Sequence, residues 1–170
     1  MANTMLVLSV VFVSMTSAYG QKKAAKVVFI IVDGIPSDVI EKLPHPNLSA
    51  IASEGGYTRA YVGGVKGTYS ETPTISAVGY NSVLTGTWVN KHNVWGNDIK
   101  APNYHYPTIF RYYKQSCPAG KIAVFSSWLD NRTKLVGDNM PQTGNIPVDI
   151  HYDGWNWIRC NSPMIKIAFT

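Results

Sequence analysis

The hydrophobic and polar positions of the first half of the chain predict alternating strands and short helices. A continuous β-branched run over residues 25–32 ends at Asp33, and such a run without alternation is typical of a strand covered on both faces. Proline-led helical patterns follow over residues 36–43 and 47–53, the second ending at a pair of glycines. Residues 57–62 then predict a second strand.

The second half begins with a glycine-rich loop and a strong helical pattern. The pattern starts at Ser76 and ends at Gly86, which is a helix stop signal. The remaining expectations are a helix over residues 107–115, a third strand over 121–126, a long loop over 129–150 and an unassigned segment over 155–170. This order of elements predicts a wound α/β sheet.

The first twenty residues form a separate segment. Residues 1–20 contain no charged side chain, and their apolar core over residues 5–13 is shorter than the roughly 20 residues of a membrane span. Small residues and a small-x-small site before Gln21 follow this core. We therefore expect a signal peptide, a secreted or periplasmic protein and no transmembrane segment in the mature chain. The alternative is a buried hydrophobic strand. Export would place Cys117 and Cys160 in an oxidising compartment, and their pairing stays open.

The composition of the chain excludes some classes of protein. A length of 170 residues is typical of one domain, and 45% hydrophobic with 15% charged residues excludes intrinsic disorder. The net charge is +5, but the positive residues beyond residue 26 are scattered singly and form no basic stripe with interleaved aromatic residues. We therefore expect a mildly basic surface and no specific nucleic-acid partner.

Three polar residues lie at positions where a wound α/β sheet usually carries its ligand-binding or catalytic residues. Asp33 directly follows the first predicted strand and suits a metal cation, although a turn cap is the alternative. Ser76 begins a helix, whose positive end favours both an attacking hydroxyl and a phosphate; a plain N-cap is its alternative, and Thr74 is a competing hydroxyl. Asn97 is an amide that donates hydrogen bonds to oxygen, or a turn residue.

These residues lie within four short motifs in a characteristic order. The motifs are Val32-Asp33-Gly34, Thr72-Pro73-Thr74-Ile75-Ser76, Ser82-Val83-Leu84-Thr85-Gly86 and His92-Asn93-Val94-Trp95-Gly96-Asn97. Over residues 26–98 the chain resembles the alkaline phosphatase superfamily, and within it the type I phosphodiesterase/nucleotide pyrophosphatase branch. The resemblance implies an α/β fold with a mostly parallel sheet, helices on both faces, and hydrolysis of phosphate-ester or nucleotide substrates on a zinc pair.

The resemblance also implies a role for each matching residue. Asp33 matches the first zinc-ligand aspartate, and Asn97 matches the amide that steadies a phosphoryl oxygen. Ser76 matches the nucleophile, which also binds zinc and is a threonine in most of the phosphodiesterase branch. His92 matches a motif histidine with a structural role.

The chain departs from the family at two places. The branch usually has Phe-Pro-Asn-His-Tyr after its nucleophile, whereas this chain has Ala77-Val78-Gly79-Tyr80-Asn81, so the substrate cannot be carried over. The family's later Asp-x-x-x-His and Asp-His ligand pairs have no counterpart, because none of the four histidines has an aspartate four or one residues before it. We therefore expect residues 21–170 to be the N-terminal portion of a truncated catalytic domain that binds zinc weakly and has little activity alone. The alternative is a non-catalytic secreted binding domain that retains the fold.

Overall fold

Five helices and two short strands follow one another along residues 25–154, which are the residues that the computed structural model describes. The elements are α1 Ser37–Ile40, α2 Pro46–Gly55, α3 Ser76–Thr85, α4 Val89–His92, α5 Ile109–Ser116, β1 Ala123–Ser126 and β2 Ile150–Asp153. A π-helical segment Asn131–Val136 and a 3-10 turn Pro141–Thr143 lie between the strands. The expected signal peptide, Cys160 and the segment 155–170 lie outside the described residues.

The two strands form a parallel pair. Ala123 lies opposite Ile150 and Ser126 lies opposite Asp153, so both strands end together at their carboxyl ends. A parallel pair needs a long crossover, and the segment between β1 and β2 provides it. This mixture of helices with a small parallel sheet is compatible with the predicted α/β fold. A wider parallel sheet with helices on both faces stays a prediction.

Two of the three predicted strands are wrong within the described residues. Residues 25–32 and residues 57–62 form neither helix nor strand, and most of their side chains are exposed. A strand exists only when its backbone pairs with a neighbouring strand, and an apolar run records only the local preference for one. The third predicted strand is confirmed as β1.

The long loop predicted over residues 129–150 contains regular structure instead. The π-helical segment, the 3-10 turn and the first residue of β2 all fall within it. All four helices predicted from the sequence are present. Of these, α1 is shorter than its prediction, α2 extends slightly beyond it, and α5 begins two residues later.

Two hydrophobic clusters hold α3 and the sheet in place. The first consists of Ala77, Val78, Val89, Val94, Ile99 and Leu135, with Tyr80 and Trp128 packed against it. The second consists of Ile122, Val136 and Val148, with three partly buried side chains around it. Leu135 and Val136 are consecutive residues of the π-helical segment, so this segment contributes to both clusters. The inner face of α3 is therefore fixed by packing, and its first residue is held in a defined position.

Within residues 25–154, no helix is long and apolar enough to cross a membrane.

Candidate functional site

The centre of the candidate site is a hydrogen bond between Ser76 and Asp33. The Oγ of Ser76 donates to Oδ2 of Asp33 at 2.8 Å. Asp33 lies in a turn whose next residue, Gly34, has a φ of 78°, a conformation that glycine adopts without strain. Ser76 is the first residue of α3, while the N-cap position is Ile75 in an extended conformation. The Ser76 hydroxyl is therefore directed to a distant carboxylate and does not cap its own helix.

Asn97 reaches the same end of α3. Its Oδ1 accepts a hydrogen bond from the backbone N–H of Ala77 at 3.0 Å. The first N–H groups of a helix lack partners within the helix, and Asn97 satisfies one that the Ile75 side chain cannot. Its Nδ2 group makes no hydrogen bond with residues 25–154 and keeps its donor capacity. Three sequence-predicted residues, Asp33, Ser76 and Asn97, thus meet at the N-terminus of α3.

Tyr80 lies on α3 one turn after Ser76, and its ring packs against the buried cluster. It follows Ser76 by four positions on α3, so both side chains lie on the same helix face. Burial, and then the Asp33 carboxylate, raise the pKa of Tyr80. The i, i+4 spacing from Ser76 was the signal in the sequence for this shared face.

The competing hydroxyl, Thr74, is exposed, and the hydroxyl that contacts Asp33 is that of Ser76. The buried hydroxyl of this motif belongs to Thr72. Its Oγ1 donates to the Ser70 carbonyl at 3.0 Å and accepts from the Val89 N–H at 3.3 Å. Thr72 therefore joins the loop before α3 to the start of α4.

The glycine-rich loop packs its backbone tightly. Gly64 has a φ of 65°, and a Cβ at this position would lie 1.8 Å from the Ser70 carbonyl oxygen. The N–H of Thr72 donates to the Gly63 carbonyl at 2.6 Å and closes the loop. Glycine at position 64 is therefore required by both backbone conformation and space.

His92, the last residue of α4, is fully buried and faces α3. Its Nδ1 accepts from the Val94 N–H at 3.1 Å, so the ring proton is on Nε2, which lies 2.9 Å from the Ser82 hydroxyl. That hydroxyl in turn donates to the Val78 carbonyl at 2.9 Å. Burial lowers the pKa of His92 to about 4, so the imidazole is neutral at pH 7. These contacts favour the structural role expected of this histidine.

The described residues do not supply a complete zinc site. Asp33 and Ser76 offer two oxygen donors, whereas a catalytic zinc takes three protein ligands. Within residues 25–154, no group of three or more His, Cys, Asp or Glu side chains is placed to hold a metal ion. His92 uses both ring nitrogens in the core, and Nδ1 of His45 contacts Ser49 within α2.

Comparison with known proteins gives one match. The family model described as type I phosphodiesterase / nucleotide pyrophosphatase matches residues 27–161, which is most of the chain. No curated protein and no solved structure matches. The matched range contains all the candidate site residues.

Proposed function

Because the chain belongs to the type I phosphodiesterase/nucleotide pyrophosphatase family, a family of phosphoric-ester hydrolases that are generally metal-dependent, we propose that its chemistry centres on Ser76. In this proposal Ser76 is the nucleophile that attacks the phosphorus of a phosphate-ester or nucleotide substrate. The observation that carries the proposal is the hydrogen bond from Ser76 Oγ to Asp33 Oδ2 at the first residue of α3. A serine with no chemical role at this position would be expected to cap the helix or face solvent.

The attack follows from this hydrogen bond. The Asp33 carboxylate holds the hydroxyl proton, which leaves the lone pairs of Ser76 Oγ directed away from Asp33. As the Oγ–P bond forms, the proton passes to Asp33, the ester P–O bond breaks, and the leaving oxygen takes a proton from solvent. Water then attacks the phosphorus, the Ser76 Oγ–P bond breaks, Asp33 returns its proton to Oγ and restores the hydroxyl, and the phosphate product leaves with the attacking oxygen.

The end of α3 supplies the complementary charge. A helix N-terminus carries a partial positive charge, and this stabilises a phosphoryl group next to Ser76. The Nδ2 group of Asn97 is the nearby side-chain donor for an equatorial phosphoryl oxygen, because its Oδ1 is already fixed on the Ala77 N–H. Asn97 is therefore both a helix-end partner and the proposed phosphate contact.

Zinc is the cofactor that the resemblance implies. Asp33 and Ser76 are the donors that the described residues offer to it, and the absence of a third ligand group within residues 25–154 supports weak binding. We accordingly propose low activity for this chain by itself.

The same incomplete donor set favours a second candidate function. A secreted binding domain that keeps the family fold would still bind phosphate at the N-terminus of α3, but it would not hydrolyse the ester. The two functions differ in one respect: hydrolysis depends on the Ser76 hydroxyl, whereas binding of a phosphate does not need it.

We also propose that residues 1–20 are removed on export and that residues 21–170 belong to the catalytic domain. The uncharged apolar segment of the sequence supports this. N-terminal sequencing of protein exported by a secretory host tests it: a mature chain beginning at Gln21 is expected, and a retained Met1 would contradict it.

Hydrolysis of nitrophenyl phosphate and bis(nitrophenyl) phosphate tests the main proposal. The full chain with added zinc should release nitrophenol slowly, and Ser76→Ala should reduce the rate to background. Thr74→Ala is the matched control, since this neighbouring hydroxyl is exposed and should leave the rate unchanged. Equal rates for wild type and Ser76→Ala would refute the nucleophile.

A further inference from the structure

A small cavity lies between α3 and α5. Asn81 of α3 lines it, together with Thr108 and Arg111 at the start of α5 and two residues of the π-helical segment. Its volume is about 10 Å³, which is room for one water-sized occupant. Within residues 25–154 the lining contains one arginine and no acidic side chain. The cavity therefore carries positive charge without a matching negative group.

The amide of Asn81 is buried at this cavity without a partner. Only 4% of the residue is exposed, and its side chain makes no hydrogen bond with residues 25–154. Buried polar groups are normally hydrogen-bonded, because an unpaired group has lost its contacts with water and gained nothing in return. Asn81 therefore indicates a hydrogen-bonding occupant in the cavity.

Arg111 also has unused donors at the cavity. Its Nη1 donates to the Tyr104 carbonyl at 2.9 Å and holds the guanidinium in place, whereas its buried Nε has no hydrogen-bond partner within residues 25–154. No carboxylate of the described residues forms an ion pair with it. A partly buried cation without a counter-charge is unfavourable. Arg111 therefore favours an occupant that is negatively charged.

The start of α5 acts in the same direction. Thr108 is the N-cap, and its Oγ1 accepts from the Arg111 N–H at 3.4 Å, while its hydroxyl proton has no acceptor among residues 25–154. The helix has eight residues, and a helix N-terminus carries a partial positive charge. An amide, a guanidinium, a hydroxyl and a helix end thus all favour an anionic acceptor.

We propose that this cavity binds a single monatomic anion, of which chloride is the common example, and that the anion joins α3 to α5. Such an ion accepts hydrogen bonds from N–H and O–H donors and neutralises the guanidinium. A water molecule fits the space but supplies no charge, and a phosphate or sulfate group is larger than the cavity. The site is separate from the proposed chemistry at Ser76, although it stabilises the same helix.

Urea unfolding of the full chain in two salts tests the site without any activity. Sodium chloride and sodium gluconate are compared at equal ionic strength, since gluconate is too large for the cavity. A ligand that binds only the folded chain lowers the unfolding equilibrium constant by a factor of one plus its concentration divided by Kd. At about 0.2 M salt we expect this constant to be at least about threefold lower in chloride than in gluconate.

Three variants locate the effect. Asn81→Asp keeps the size of the side chain and adds a carboxylate at the cavity, so it should replace the anion and abolish the difference between the salts. Arg111→Met removes the cation and should abolish the difference as well, and it serves if Asn81→Asp does not fold. Arg59→Met is the matched control, because Arg59 is an exposed arginine that pairs with Glu41 and does not line the cavity. It should keep the difference.

Each other result overturns the proposal. A difference below about threefold in the wild type leaves a water molecule as the occupant. A difference that persists in either Asn81→Asp or Arg111→Met shows that chloride acts elsewhere on the chain. Loss of the difference in Arg59→Met assigns it to the overall charge of the protein.

Discussion

Ser76 and Asp33 are separated by 43 positions in the chain, and the hydroxyl of one donates to the carboxylate of the other at 2.8 Å. Local structure does not explain this contact. The Ser76 hydroxyl does not cap α3, and Asp33 reaches it through a turn that contains Gly34. The packed inner face of α3 keeps Ser76 in place. The proposed reaction follows from this one contact at the end of a helix.

The loop before α3 provides a test with an internal control. Both Gly64 and Gly67 have positive φ values, but a Cβ on Gly64 would collide with the Ser70 carbonyl, whereas a Cβ on Gly67 meets nothing within 4 Å. Gly67→Ala should cost about 1 kcal/mol of the free energy of unfolding, from backbone strain alone. Gly64→Ala should cost about 3 kcal/mol or more, because overlap adds to strain. Urea unfolding measures both, and equal costs would show that the loop is not packed as described.

His92 makes stability depend on pH. Its pKa is lowered from 6.5 to about 4 in the folded chain, so between these values the unfolded chain binds a proton that the folded chain does not. The free energy of unfolding should therefore be insensitive to this group above pH 6.5, and should fall by about 3 kcal/mol as the pH is lowered from 6.5 to 4.

Urea unfolding from pH 7 to pH 4 measures this loss. His92→Gln should remove this contribution to the slope, whereas His105→Gln, which changes an exposed histidine, should keep it. If the free energy of unfolding changed with pH equally in His92→Gln and in wild type, the pH dependence would come from other groups.

The proposed zinc site predicts weak binding, because the described residues offer few donors to it. Calorimetric titration of the full chain should show zinc binding weaker than the nanomolar range, because two oxygen donors fall short of a complete site. Asp33→Asn should abolish that weak binding, while Asp38→Asn, which changes an exposed aspartate of α1, should not. Tight one-to-one binding that survives Asp33→Asn would contradict the expected donors.

Arg132 holds the π-helical segment to the end of β2. Its Nε and Nη2 donate to Oδ2 of Asp153 at 2.8 and 2.6 Å, and Nη1 pairs with Asp138. All three side chains are largely buried. Arg132→Met should lower the free energy of unfolding by about 3 kcal/mol, because it leaves two carboxylates without their cation. Arg59→Met breaks an exposed pair with Glu41 and should change the midpoint of urea unfolding little. A similar urea midpoint for both variants would contradict this account.

The sequence predicted α3 with both of its ends, because two independent signals agree there. A polar residue begins the pattern at Ser76, and Gly86 ends it with a φ of 66°, the left-handed conformation that glycine favours. Two other motifs of the ordered set identified Asp33 and Asn97, which do meet Ser76, although the strand expected before Asp33 does not form. Local sequence was enough to predict those parts of the structure that depend on a single helix and its two ends.

The strands were less predictable, because a strand depends on a partner elsewhere in the chain. The apolar run 25–32 has the composition of a buried strand and forms none. Conversely, β2 consists of Ile150-His151-Tyr152-Asp153 and begins at the end of a segment rich in Asn, Gly and Pro. The cluster of Ile122, Val136 and Val148 lies beside these strands and joins distant parts of the chain, which no local pattern records.

Tyr80 was missed for a related reason. Its spacing from Ser76 was visible in the sequence, but the effect of the Asp33 carboxylate on the pKa of Tyr80 depends on a turn 47 positions earlier in the chain. A residue's partner across the fold is known only once the fold is known.

Identification of the hydroxyl that carries the phosphoryl group tests the central claim most directly. The full chain is incubated with nitrophenyl phosphate and zinc, quenched in acid, and its peptides are analysed by mass spectrometry. We predict a phosphoryl adduct on Ser76 that disappears in Ser76→Ala and persists in Thr74→Ala. An adduct on Thr74, or nitrophenol release with no adduct on Ser76 and no dependence on it, would contradict the account.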